Sequence, residues 1–537
     1  MSDDRPDYRT FTDGFDPTML IDALDGDLAS AVNACVECCD RHAGTDRIAL
    51  RWANASAERS TYTFDELQTR SAQVANLLVE HGVEPGDRVS GLLPRVPQLV
   101  ALILGVWRAG AVYQPLFTAF GPKAIEQRLA TSQAKVVVTD AANRSKLDAV
   151  ADTTAVMTID GGEGELDFAA EVDARSTAFE PVMRTGDDAF LMMSTSGTTG
   201  LPKGVQIPLR ALPGFAAYMQ FGLDVRPDDV FWNIADPGWA YGLYYAVAGP
   251  LLIGHQTTLF DGPFTVESTA ALVQEFGITN FAGAPTAYRM IITAGEDAAA
   301  PFAKHLRVAS SAGEPLNPEV MRWFGEHVGC DLFDQYGQTE CGMVLANHHG
   351  LRHDVRPGSA GFPMPGFRLD VVDETGVPQR PGTQGVLAVH RPDSPLFFFD
   401  GYLGAERQGW VGDYYLTGDT VEQHEDGSIS FVGRSDDVIS SAGYRIGPFD
   451  VESCLLEHGA VAESAVVGKP DAERGEIVKA FVVLHPGRDG DDALAAELTR
   501  HVRDRLGKHA FPREVTFVES LPKTPSGKIQ RFILRNE

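Results

Sequence analysis

Hydrophobic and polar positions fall into two alternating rhythms from residue 61 onward. Thr63 can cap a helix whose Glu66 stands three residues on, and apolar residues then recur at Leu67, Val74, Leu77 and Leu78 until Gly82. Residues 85–89 turn into a strand over 89–93. An apolar helix is expected over 99–110, a strand over 112–115, a helix over 124–132, and a strand around Val136, Val137 and Val138. Strand–helix alternation of this kind argues for a parallel sheet covered on both faces. Residues 189–193 read as a further buried strand, and the alternation continues to about residue 330. Residues 28–42 are expected to be helical, and 140–185 are too weakly patterned to predict elements.

Near residue 360 the rhythm changes. Val371 and Val372, residues 385–389 and residues 428–432 are short apolar runs between Pro/Gly/Asp turns, which suggests a small antiparallel or barrel-like piece. Beyond Arg434 about a hundred residues carry strands of their own around 465–467, 480–484 and 515–518, enough for a small separate domain. The expected fold class is α/β. A large N-terminal domain of stacked αβ layers plus the barrel-like piece covers 1–434, and a small α+β C-terminal domain covers 435–537.

A chain of 537 residues is too long for one core. No run of eighteen apolar residues and no N-terminal signal core is present, so a cytoplasmic protein without a membrane span is expected. The net charge is −29, from 45 basic and 74 acidic residues, and so acidic a surface repels nucleic acid. Few of the basic residues are lysine, and an acidic, lysine-poor surface suggests a protein that works in high salt. Cys35 and Cys38 have zinc-like spacing but no matching second pair. They read as small hydrophobic residues on one helix.

One stretch carries chemistry by itself: Ser194-Thr195-Ser196-Gly197-Thr198-Thr199-Gly200-Leu201-Pro202-Lys203-Gly204-Val205. A strand that opens into hydroxyls and glycines can aim its N–H groups at one anion, and Lys203 adds positive charge. It is not a Walker A loop, because Pro202 and Gly204 flank the lysine where Gly and Ser/Thr are needed.

This stretch resembles the signature loop of the adenylate-forming superfamily, which includes acyl-CoA synthetases, luciferases and peptide-synthetase adenylation domains. The resemblance implies that Thr195, Ser196, Gly197, Thr198, Thr199, Gly200 and Lys203 hold the triphosphate of ATP. Further motifs follow in the family's order. Gly313-Glu314-Pro315 implies a wall of the adenine pocket. In Asp334-Gln335-Tyr336-Gly337-Gln338-Thr339-Glu340, the resemblance implies that Asp334, Gln335, Gly337 and Gln338 also stand at the nucleotide; Tyr336 is expected to stack on adenine, Thr339 to contact the α-phosphate and Glu340 to help hold Mg²⁺. Asp419 matches the ribose site, and Arg434 an arginine that reaches the nucleotide. Asp436 matches the hinge about which the C-terminal domain moves. Ala442, Gly443, Tyr444 and Arg445 look like the segment that lines the pantetheine tunnel, and Arg474 falls where such enzymes contact CoA. Lys528 matches the catalytic lysine. It also sits in a Pro-x₄-Gly-Lys pattern that resembles acetylation sites, which implies a lysine acetyltransferase and deacetylase as partners.

The implied activity is an AMP-forming acyl-CoA synthetase that uses ATP, Mg²⁺ and coenzyme A, closest to acetyl- and medium-chain acyl-CoA synthetases. In acetyl-CoA synthetases a Trp follows the adenine-stacking aromatic; Gly337 stands there here. With Trp239 and Ala240 as further pocket residues, an acid longer than acetate is expected: short- or medium-chain, or branched. The alternatives are an aryl-CoA ligase, an acetyl-CoA synthetase, or an inactive relative that only binds nucleotide or acyl ligand.

Overall fold

The computed structural model describes residues 5–150, 154–161, 166–196, 202–405, 407–441, 444–471, 474–506, 510–523 and 529–536. Among them no helix is long and apolar enough to cross a membrane.

Two large sheets form the body. The first has seven strands, ordered Leu166–Asp167, Ala155–Thr158, Val136–Thr139, Arg88–Leu92, Val112–Pro115, Ala189–Ser196 and Pro202–Pro208. All neighbours are parallel except the last pair, which is a hairpin. The second runs Phe231–Asn233, Asn280–Gly283, Val308–Ala312 and Asp331–Gln338 in parallel, then turns back through Gly342–Ala346 and Phe362–Pro363. Parallel neighbours need crossovers, and helices such as Pro97–Arg108 and Val266–Phe276 supply them.

The capping box expected at Thr63 and Glu66 is present, and its helix runs Phe64–Glu80. It packs on Pro97–Arg108 so closely that a Cβ at Gly105 would lie 2.5 Å from Val74 Cβ. Residues 28–42 are not one helix. Asn33 takes extended backbone, accepts from the Cys35 and Val36 N–H groups, and starts a helix of only Ala34–Cys38. Its amide also donates to the carbonyls of Trp107 and Val182, both at 2.8 Å, which fixes the chain where a helix would have to pass. Cys35, Cys38 and Cys39 are all fully buried.

Beyond residue 366 the strands Leu369–Val372, Gln384–His390, Trp410–Val411, Tyr414–Gln423 and Ile429–Arg434 form an antiparallel sheet. Residues after 436 build another sheet and a core of their own around Ile439, Val466, Val482 and Leu498. This part touches the body where the Asn317 amide donates to Ser453 Oγ at 2.8 Å.

Candidate active site

The carboxyl end of the strand Asp331–Gln338 faces the antiparallel sheet, and the two bring distant motifs together. Asp419 and Arg434 are direct cross-strand partners. The buried Asp419 carboxylate accepts from the Tyr336 phenol at 2.5 Å, from Gln338 Nε2 at 2.7 Å and from Arg434 Nη1 at 3.2 Å. Burial and the Asp419 charge push the Tyr336 phenol well above its ordinary pKa, so it stays a donor.

The turn after Gln338 carries Thr339 and Glu340. The Thr339 carbonyl accepts from Tyr244 at 3.1 Å. Burial raises the Glu340 carboxyl, and the Tyr402 phenol, donating to its Oε1 at 2.8 Å, opposes the rise. The Lys203 ammonium lies 4.9 Å over the Tyr402 ring, a cation–π distance. Tyr402 is held there because Leu403 N–H donates to the Gly204 carbonyl at 2.9 Å, which ties its loop to the strand of Lys203. Thr195 stands opposite Lys203 in the hairpin. No motif contained Tyr402; its one sequence signal is an aromatic after the Asp400-Gly401 turn.

Side chains of Asp331–Gln338 alternate between two faces. Asp334, Tyr336 and Gln338 share one. Asp334 is buried, accepts from Leu316 N–H at 3.1 Å, and has a second oxygen without a hydrogen-bond partner among the described residues. Burial pushes its carboxyl up to about 8, so it carries a proton at neutral pH. Gln335, expected at the nucleotide, turns to the other face. Its amide donates to the Gly222 carbonyl at 3.0 Å and its oxygen accepts from Tyr218, so it is tied into the core. Gly337 is a second correction. A Cβ there would lie 2.7 Å from Met343 Cα and closer still to the Gly342 carbonyl oxygen, so the glycine is demanded by a backbone approach and does not open a pocket.

Gly313 has φ +94, a left-handed conformation that favours glycine, and leads through Glu314 and Pro315 to the backbone N–H that Asp334 accepts. Glu314 pairs with Arg289 at 3.2 Å, and its Oε1 is buried with no partner among the described residues. Trp239 packs on Phe117 and Phe120, each with ring centroids 5.3 Å away, and Ala240 starts the next short helix. In the C-terminal part Ser441 pairs with Gly475, the residue after Arg474, and also with the exposed Tyr444. Asp436 Oδ1 lies 3.8 Å from Arg434, and its carbonyl accepts from Arg535 at 2.8 Å. Gly197, Thr198, Thr199, Gly200, Ala442, Gly443 and Lys528, with the side chains of Ser196 and Arg445, lie outside the described residues.

The AMP-binding enzyme family matches residues 37–403, and the AMP-binding enzyme C-terminal domain matches 450–528. The acetyl-coenzyme A synthetase of Bacillus subtilis is 38% identical over 518 residues, covering 94% of this chain and 90% of its own. The mitochondrial acyl-coenzyme A synthetase ACSM3 of Mus musculus is 37% identical, covering 91% and 86%. Among solved structures, the Brucella canis acyl-CoA synthetase is 57% identical, with a TM-score of 0.81 and coverage of 99% and 98%. An anthranilate CoA ligase in complex with anthranoyl-AMP is 27% identical, with a TM-score of 0.86 and coverage of 94% and 97%.

Proposed function

The chain belongs to the AMP-binding enzyme family, as an AMP-forming acyl-CoA synthetase, and we propose that it activates short- or medium-chain or branched acids in preference to acetate. In the first half-reaction a carboxylate oxygen bonds to the α-phosphorus of ATP and pyrophosphate leaves. The acid becomes a mixed anhydride with a good leaving group. In the second, the CoA thiolate attacks the acyl carbon, the C–O bond to the phosphate breaks, and AMP departs.

The observation that carries the assignment of roles is the knot of Tyr336, Gln338, Asp419 and Arg434 beside the chain Glu340–Tyr402–Lys203. In our reading Asp419 accepts from the ribose hydroxyls, Tyr336 packs on adenine, and Lys203 meets the outer phosphates. Glu340 fits Mg²⁺, which is commonly held by one or two carboxylates plus substrate phosphates. The ion would neutralise phosphate charge. Lys528 supplies positive charge where the transition state gains negative charge. The part beyond Asp436 then turns to bring Arg474 and the Tyr444 segment to CoA. Acetylation of Lys528 removes its charge and silences the first step.

The apolar wall of Trp239, Phe117 and Phe120 supports an acid larger than acetate, and it also favours a second reading, an aryl acid. The deciding measurement is acid-dependent ATP–pyrophosphate exchange, then thioester formation, over acetate to octanoate and benzoate. We expect kcat/KM to peak beyond acetate and to move toward longer acids in Trp239→Ala. A wild type that prefers acetate to every longer or aryl acid overturns the substrate reading; no exchange with any acid overturns the reaction.

A further inference from the structure

A second cluster of reactive side chains lies outside the site described above. Where the helix Pro448–Leu456 ends against the helix Asp492–Leu506, Cys454, Glu457 and His501 each offer one ligand atom. These atoms all lie within 4.8 Å of one another. The tautomer of His501 follows from its neighbours. Nε2 lies 2.9 Å from the Cys454 carbonyl oxygen, which can only accept, so Nε2 carries the proton. Nδ1 lies 3.0 Å from Arg505 Nη1, which can only donate, so Nδ1 presents its lone pair to the cluster. A metal-binding histidine is commonly held in this way, donating its other N–H to a backbone carbonyl.

A cation already stands in the cluster. Arg505 Nε is 3.0 Å from Glu457 Oε2 while its Nη1 meets the imidazole, and its side chain is 51% exposed, free to turn into water. We propose that Cys454, Glu457 and His501 form a Zn²⁺ site, in which the ion takes the place of the Arg505 guanidinium. Thiolate, imidazole and carboxylate are the ligand types of zinc, whereas Mg²⁺ and Ca²⁺ take oxygen ligands. Three protein ligands leave a fourth position for water. On binding, the Cys454 thiol gives its proton to solvent as the Sγ–Zn bond forms, and the Arg505–Glu457 pair opens. The ion would staple the end of one helix to the other, and no step of the acyl transfer passes through it.

The test uses the full chain with Co²⁺ as the probe, because a thiolate–Co²⁺ bond gives a near-ultraviolet charge-transfer band that oxygen ligands at the nucleotide site do not give. We expect one equivalent of Co²⁺ to produce the band and Zn²⁺ to abolish it. Cys454→Ser should lack the band while keeping wild-type ATP–pyrophosphate exchange, which also shows that it folds. His501→Gln should weaken Zn²⁺ binding by roughly tenfold or more, and Arg505→Gln should strengthen it by removing the competing cation. A wild type that gives no band with excess Co²⁺, or a band that survives Cys454→Ser, overturns the proposal.

Discussion

Tyr402 reaches Glu340 across 62 positions of sequence, and that contact positions the one carboxylate assigned to the metal-bound phosphates. Its phenol orients a buried acceptor, while its ring faces Lys203. Tyr402→Phe keeps the ring and removes only the donor. We expect the Mg²⁺ concentration for half-maximal ATP–pyrophosphate exchange to rise by roughly tenfold, the usual effect of losing a group that orients a metal ligand. An unchanged Mg²⁺ dependence would show that Glu340 needs no such support. Lys528→Ala should lower acyl-adenylate formation by about 10²- to 10³-fold, yet convert supplied acyl-adenylate to thioester at the wild-type rate. Equal loss of both half-reactions contradicts an exchange of groups at one site. Tyr336, Asp419 and Arg434 were singled out because each stands in a motif that resembles the family's, and the structure brings the three together. Tyr402 was not, because its role exists only once the loop 400–405 folds onto the strand of Lys203.

At the scale of elements the alternating strands and helices of 61–139 were legible, since each buried face writes its own period into the sequence. The strand Val112–Pro115 and the cap of Phe64–Glu80 show this directly. What hid was set by tertiary contacts: the polar anchors of Asn33 break the expected helix over 28–42. Gly337 departs from the expectation for a similar reason, because its neighbour is the returning strand Gly342–Ala346. Gly337→Ala pushes a methyl into backbone atoms that cannot turn aside. We expect a loss of about 1–3 kcal/mol in stability, read from the urea midpoint; an unshifted midpoint would mean that the hairpin opens freely. Asp436 lies between Arg434, which touches it at 3.8 Å, and Arg535, which holds its carbonyl. Asp436→Pro fixes φ and should leave adenylation intact while thioester formation falls. Wild-type overall turnover in this variant moves the hinge elsewhere.

For the whole molecule the governing quantity is charge. The 45 basic residues can neutralise at most 45 of the 74 acidic ones, so the net −29 persists however the pairs are arranged. Arginine supplies most of the ion pairs among the described residues, as in Arg307 with Asp224 at 2.7 Å and Arg356 with Asp426 at 2.7 Å. Two salt effects oppose each other. Screening weakens exposed pairs, each worth about 0–1 kcal/mol, and it weakens repulsion among the unmatched carboxylates. The Debye length falls from about 10 Å at 0.1 M to about 3 Å at 1 M. Pairs in contact near 2.7 Å stay within that range, whereas carboxylates spread over the surface lie beyond it. Repulsion is therefore screened first, and salt should stabilise the fold. We expect the thermal midpoint to climb as KCl is raised from about 0.1 M to 1 M and beyond. Because the effect is electrostatic, NaCl at equal ionic strength should reproduce most of it. A midpoint that stays level or falls over this range would show that the pairs outweigh the excess charge, and that the acidic surface is no adaptation to salt.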